Sequence, residues 1–357
     1  MRRRTLVSFA AAVVALSASG PAVARSRHDG VPHASASYVP QRTAWGDPDF
    51  SATWTLDRVA QADIPLERPE AEGNRPWLTD AEFAKRLQAA KKSDASYQEN
   101  VDADGTVGLA EWVRNAPFAR RSSLIVSPAN GRLPPLTPAA EARFEAGHSS
   151  WNKGQPIDWV ADLDTFDRCI SRGMPESMLP RPNNNGIRVF QAPGYVAIQI
   201  EILGTRVIPI GHSERWPGMV HAWLGQSLAH WEGDTLVIET RGMVPGDGAG
   251  GDAAKHAAPP VSVDRDGLIP MGDRASAVER LRMTGPDTMA YEVTYSDPDV
   301  FTAPWTAKVE WQRDDNYRLY EYACHEGNEQ VRDLINASRA QRRKDVEAAA
   351  AGKVASK

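Results

Sequence analysis

The stretch YVAIQIEIL, residues 195–203, sets one carboxylate inside an isoleucine-rich run. Side chains of a strand alternate between its faces. Val196, Ile198, Ile200 and Ile202 therefore share one face, and Tyr195, Gln199 and Glu201 the other. A carboxylate on so apolar a segment is costly unless it is wet, paired or functional. Facing into a barrel, Glu201 is a pocket acid or base; facing out, it is solvated surface. The loop that follows, GHSERWPGMVHAW, gathers His212, Glu214, Arg215 and His221 beside Trp216 and Trp223. Imidazole next to carboxylate is the ordinary equipment for proton transfer near neutral pH. Further on, EYACHEGNEQ aligns Cys324, His325 and Glu326. These residues define an expected acid–base set: Glu201 or His221 as base, His325 or Glu326 as partner, Arg206 or Arg215 against developing negative charge, and His212 in the same loop. The plainer reading of the loop is a polar surface without chemistry.

The chain holds 11 tryptophans. Trp223, Trp305 and Tyr322, with Tyr195, Gln199 and Asn185, make an expected ligand-binding set suited to a flat or apolar molecule. Aromatic residues fill cores more often than pockets, so most of the tryptophans are expected inside. His212, His221 and His230 recur every nine residues, but no H-E-x-x-H, H-x-H or cysteine cluster accompanies them, and no metal is expected. Nor is there a G-x-S-x-G elbow, a phosphate loop or a G-x-G-x-x-G turn after a strand, so no cofactor is expected.

The elements that must position these groups are mainly strands. From Ile187 onward, IRVFQAPGYVAIQIEILGTRVIPIG, SLAHWEGDTLVIET and the run from Ser276 to Cys324 read as about eight to nine strands joined by short turns, an antiparallel meander. Such a sheet hides its edges most readily by closing. The expected fold is thus mainly β: an antiparallel, lipocalin-like barrel, closed or nearly so, over 187–327, with 241–274 as a lid or a disordered insertion. Residues 46–186 read as a helical and irregular part packed on the barrel, although DFSATW within it is a plausible strand. LTDAEFAKRLQAAKKSD reads as a helix capped by Thr79 or Asp80, and a second helix enters at Thr137-Pro138. Residues 328–357 read as a C-terminal helix with Asn328 as cap and a tail.

The first 24 residues have the basic start, apolar middle and small-residue end of a cleavable export signal, with Arg3-Arg4 admitting either the general secretory or the twin-arginine route. Residues 25–45 read as a flexible leader. A periplasmic or secreted location follows, and no segment is long and apolar enough for a membrane span. With 41 basic against 46 acidic residues the net charge is −5, which disfavours nucleic acid as partner. Two cysteines, Cys169 and Cys324, in an oxidising compartment are expected to pair.

Taken together, DPDFSATW, GRLPPLTPAAEARF, DRCISRGMP, WLGQSLAHWEGDTLVIET, DPDVFTAPWT and EYACHEGN resemble the motifs of a large family of exported bacterial proteins of unassigned function, over roughly residues 45–340. The chain departs from that pattern at IPIGHSERWPG, where relatives carry an aspartate-glycine-arginine-proline-histidine turn. The resemblance implies one cooperative unit and supplies no mechanism. The expected function is a cofactor-independent lyase, isomerase or hydrolase acting on a small apolar or aromatic compound. The alternative is a periplasmic carrier binding such a ligand unchanged, and a third reading is an envelope scaffold.

Overall fold

The computed structural model describes residues 38–57, 64–98, 117–146, 156–163, 167–171, 173–181, 184–202, 204–212, 214–244 and 271–355. The export signal, most of the leader and positions 245–270 of the expected insertion lie outside the described residues.

Ten strands are formed: β1 (Ala52–Thr55), β2 (Ile125–Ser127), β3 (Gly186–Ala192), β4 (Tyr195–Ile200), β5 (Gly204–Pro209), β6 (Gln226–Glu232), β7 (Thr235–Arg241), β8 (Ser276–Gly285), β9 (Thr288–Ser296) and β10 (Trp305–Arg313). They follow from alternation. Ala277, Glu279, Leu281 and Met283 of β8, Met289, Tyr291, Val293 and Tyr295 of β9, and Trp305, Ala307, Val309 and Trp311 of β10 are all buried, while the residues between them are not. Tight turns join neighbours at Pro193-Gly194 and Gly233-Asp234, where both glycines adopt positive φ.

The order around the sheet is β5-β4-β3-β1-β10-β9-β8-β7-β6, with β2 pairing beside β1 on the edge of β10. β1 is the structural surprise. The barrel does not begin at residue 187, because β1 is inserted between β3 and β10, with Trp54 opposite both Ile187 and Arg313. Nine strands on a path of antiparallel neighbours leave the two ends of the path parallel. The seam between β5 and β6 is accordingly closed by a single parallel bridge, Ile210 to Ala229, so the barrel is nearly closed rather than closed. The segment from Ile210 to Gly225 runs back along the seam to the far end.

A barrel of this strand number is just wide enough to be filled by side chains. Here Trp305, Trp311, Tyr291 and Tyr295, all fully buried, join Ile198, Ile238, Leu281 and Met289 in one contiguous core. Tyr291 stacks on Trp311 at 5.1 Å, and Tyr295 lies 5.5 Å from Trp305.

Helices are sparse around the barrel: among the described residues there are three, α1 (Asp80–Gln98), α2 (Pro138–Ala146) and α3 (Gln330–Ala355). Thr79 caps α1 in a reciprocal box with Glu82, each side chain taking the other's backbone N–H at 3.3 and 2.7 Å. Thr137 caps α2, accepting the Ala140 N–H at 3.2 Å. Asn328 does not cap α3. Its amide instead donates to the Asp167 carbonyl at 2.9 Å and to Cys169 Sγ at 3.2 Å. Tyr320, Tyr322 and Cys324 alternate in sequence, yet residues 314–329 form no strand, because no neighbouring strand offers them a ladder. What holds this segment is the disulfide between Cys169 and Cys324, with Cα atoms 5.5 Å apart. No helix of the described residues is long and apolar enough to cross a membrane.

Candidate functional site

Two polar clusters involve the expected site residues, one inside the barrel and one at its end. Inside, Arg206 stands opposite Ile198 on the inward face of β5, and Glu279 lies between Ala277 and Leu281 on that of β8. The pair is bidentate: Nη1 donates to Oε1 at 2.8 Å and Nη2 to Oε2 at 2.5 Å, with side chains 2% and 0% exposed. Nη2 also donates to Ser227 Oγ at 2.9 Å and Thr240 Oγ1 at 3.0 Å, and the Tyr291 hydroxyl donates to Glu279 Oε1 at 3.0 Å. One guanidinium thus ties β5 to β6, β7 and β8 across the seam that the backbone leaves almost unpaired. Burial works against the Arg206 charge, but Glu279 more than offsets it, so the guanidinium is held more firmly protonated than usual. Burial, then Glu279, pushes the Tyr291 phenol well up. The Glu279 carboxylate is saturated by a guanidinium and a phenol and shut off from water, and Arg206 spans the seam.

At the end of the barrel where β4 stops and β3 and β5 start, Glu201 occupies the tight turn between β4 and β5, half-buried. Its Oε2 accepts the Tyr317 hydroxyl at 2.6 Å and the Gly186 N–H at 2.9 Å, and its Oε1 accepts the Asn184 amide at 3.4 Å. Glycine is needed at 186, since a Cβ there would lie 2.6 Å from the Tyr317 ring and 2.9 Å from Glu201 Oε2. Asn184, at φ 53°, takes the left-handed conformation that asparagine tolerates best after glycine. Asn185 is buried, donates to Asp57 Oδ1 at 3.1 Å and to the Arg181 carbonyl at 2.7 Å, and so fixes the orientation of Asp57. Tyr317 is set by its backbone N–H, which donates to Asp314 Oδ1 at 3.2 Å.

The electrostatics of this end differ from those of the interior. Burial, joined by the charges of Glu201 and Asp314, outweighs the hydrogen bonds from Thr55 and Asn185, so Asp57 holds its proton above the usual carboxylate range. Burial first, then the hydrogen bond to Glu201, pushes the Tyr317 phenol far up, so it remains a proton donor. The end thus carries a carboxyl inclined to stay protonated, a carboxylate held by three donors, and a phenol between solvent and core. Such a set can donate a proton at one point and accept one at another.

The other expected site residues are dispersed. Tyr195 and Gln199 are on the outside of the barrel and exposed, so that face of β4 lines no interior pocket. Tyr195 lies 6.0 Å from the His212 ring. His212 and His221 are exposed along the seam-covering segment, and His230, also exposed, faces Glu232 Oε1 at 3.3 Å. Arg215 fastens the same segment, donating to the carbonyls of Gln226 and Glu239 at 3.0 and 3.2 Å. Trp223 is half-buried under the Arg168 guanidinium at 5.9 Å, Trp305 is core, and Tyr322 is half-buried. His325 and Glu326 sit exposed in the turn after Cys324. Of the expected set only Asn185 shares the neighbourhood of Glu201, and no hydrogen bond or ion pair among the described residues joins a histidine to it. Among the described residues no three His, Cys, Asp or Glu side chains are grouped as metal ligands.

Asp57 and Tyr317 were not singled out by sequence, because residues so far apart in the chain become neighbours only through folding. Glu279 did carry a signal: it is a carboxylate on the otherwise apolar face of β8, the same pattern that drew notice to Glu201.

Fold and site together define a nearly closed antiparallel β barrel, with a core rich in aromatic side chains and a half-open carboxyl–phenol cluster at one end. No protein-family model, curated protein or solved structure matches the chain.

Proposed function

We propose that the protein is an exported enzyme that carries out cofactor-independent acid–base chemistry on a small molecule with an apolar or aromatic body, at the Glu201 end of the barrel. The observation that carries the reading is the unequal pair there: Asp57, which burial makes hold its proton more firmly than usual, and Glu201, hydrogen-bonded by the Tyr317 hydroxyl at 2.6 Å. Asp57 acts as general acid, protonating a leaving group or a carbonyl oxygen. Glu201 acts as general base toward a substrate C–H, an O–H or a water, and Tyr317 orients it and stabilises its charge. Elimination, isomerisation and hydrolysis all draw on an acid and a base placed in this way. The disulfide and the signal-like leader support export, and kinship with the exported bacterial family that the motifs resemble belongs to the same proposal.

The second reading is a periplasmic carrier that binds such a ligand without turnover, and a barrel with Trp305, Trp311, Tyr291, Tyr295 and Met289 in its core is compatible with it as well. The test is a turnover screen: the mature protein is incubated with pooled aromatic, terpenoid and glycosidic compounds and followed by mass spectrometry. A substrate consumed by wild type and spared by Glu201→Gln and by Asp57→Asn supports the assignment. Retained binding without turnover in every pool hands the question back to the carrier.

A further inference from the structure

Away from the barrel, α3 and the segment Pro156–Leu163 enclose a shallow hollow of about 470 Å3, within the size range of small-molecule sites. Its floor is apolar, made by the half-buried Val331 and Ile335, and one wall is Trp159, whose side chain is 65% exposed despite being the largest apolar group available for burial. The charged residues lining it are Arg332 and Arg339, with no carboxylate among them, in a chain whose net charge is −5.

The same helix already displays the mode of recognition. One turn further along, the carboxylate of Asp158 is held by Arg342 and lies 3.7 Å from Arg339 Nε, while Arg339 Nη2 donates to the Asp158 carbonyl at 2.5 Å. Among the described residues Arg332 pairs with Glu329 and Asp333, both well exposed, and such pairs are worth little and exchange readily. An exposed indole over an aliphatic floor takes a flat ring, and guanidinium forks take a carboxylate. The geometry points to a second binding site in this hollow for small aromatic carboxylates, with Trp159 stacking on the ring and Arg332 holding the acid group. The site is separate from the Glu201 end and does not depend on the enzyme reading. Asn328, on its rim, is anchored to Cys169, so the disulfide braces it.

Naphthoate titrated into the intact oxidised protein by calorimetry, with uncharged naphthamide as control, tests the site. Naphthoate is expected to bind about tenfold or more tightly than naphthamide, and Trp159→Ala and Arg332→Gln each to weaken it by about tenfold, with circular dichroism unchanged. Glu201→Gln is expected to leave the affinity as it was. The proposal is overturned by equal affinity for the amide, by absence of binding at millimolar ligand, or by affinity lost in Glu201→Gln and kept in Trp159→Ala.

Discussion

The interior cluster of Arg206, Glu279 and Tyr291 and the end cluster of Asp57, Glu201 and Tyr317 are built from nearly the same chemistry, a carboxylate with a phenol hydrogen-bonded to it, and they part over what else meets the carboxylate. Inside, a guanidinium fork neutralises Glu279 fully, and the group is sealed from water. At the end, the neighbour of Glu201 is a second carboxyl, which adds repulsion where the interior adds compensation. Saturation makes a brace. Under the proposed function, leftover tension at an accessible spot makes a reagent, and the two are told apart by partners and exposure rather than by residue type.

The sharpest way to break this contrast is to remove one half of the brace. Glu279→Ala strands a buried guanidinium and is expected to cost about 3–5 kcal/mol in urea unfolding, whereas the joint replacement of Arg206 and Glu279 by methionine recovers most of that loss. A cost near zero for the single change would mean that the interior pair braces nothing. At the other cluster the effect moves from stability to rate: Glu201→Gln is expected to lower turnover by about 10²–10⁴-fold while the unfolding midpoint barely shifts. Replacing Cys169 and Cys324 by serine is expected to cost about 2–4 kcal/mol. Hydrogen exchange should then rise over residues 314–329 and stay low in β8–β10, since only the end cluster depends on the fastened segment. Tyr317→Phe removes one hydrogen bond to Glu201 and is expected to cost about 1 kcal/mol in calorimetric unfolding.

The smallest effect carries a sign. Because the folded protein holds the Asp57 proton above the usual carboxylate range, the stability this group contributes is present at low pH and is lost as pH rises through its folded value. Asp57→Asn imitates the protonated form. It is expected to be more stable than wild type at pH 7, with the two melting curves converging as the pH falls. The same titration should end activity on the alkaline side if Asp57 is the acid. Equal stability at both pH values would remove the tension on which the contrast rests.

The strands were legible because a period of two survives in the side chains: β8, β9 and β10 alternate without interruption, and their turns are marked by proline, glycine and aspartate. The partner of β1 was not legible, since nothing local in ATWT states that it pairs with residues 186–189 and 312–313. Alternation also misled once. Tyr320, Tyr322 and Cys324 have the pattern of a strand, but a pattern without a neighbouring edge stays extended coil. Of the site, Glu201 and Asn185 could be found from type and position, whereas Tyr317 and Asp57 acquire meaning only when the chain brings residues 57, 185, 201 and 317 to one end.

The place of β1 also bears on the order in which the molecule can come into being. Its strand leaves the ribosome early, yet its two neighbours are β3 and β10, and Trp54 meets Arg313 only after almost the whole chain exists. Until then β1 has one partner at most, β10 presents an open edge, and β5 and β6 have no reason to approach. Completion must therefore wait for the last strand, and contacts of such long range form slowly. A nascent chain carries an unfinished sheet with sticky margins, and those margins stay exposed until both ends of the barrel have met.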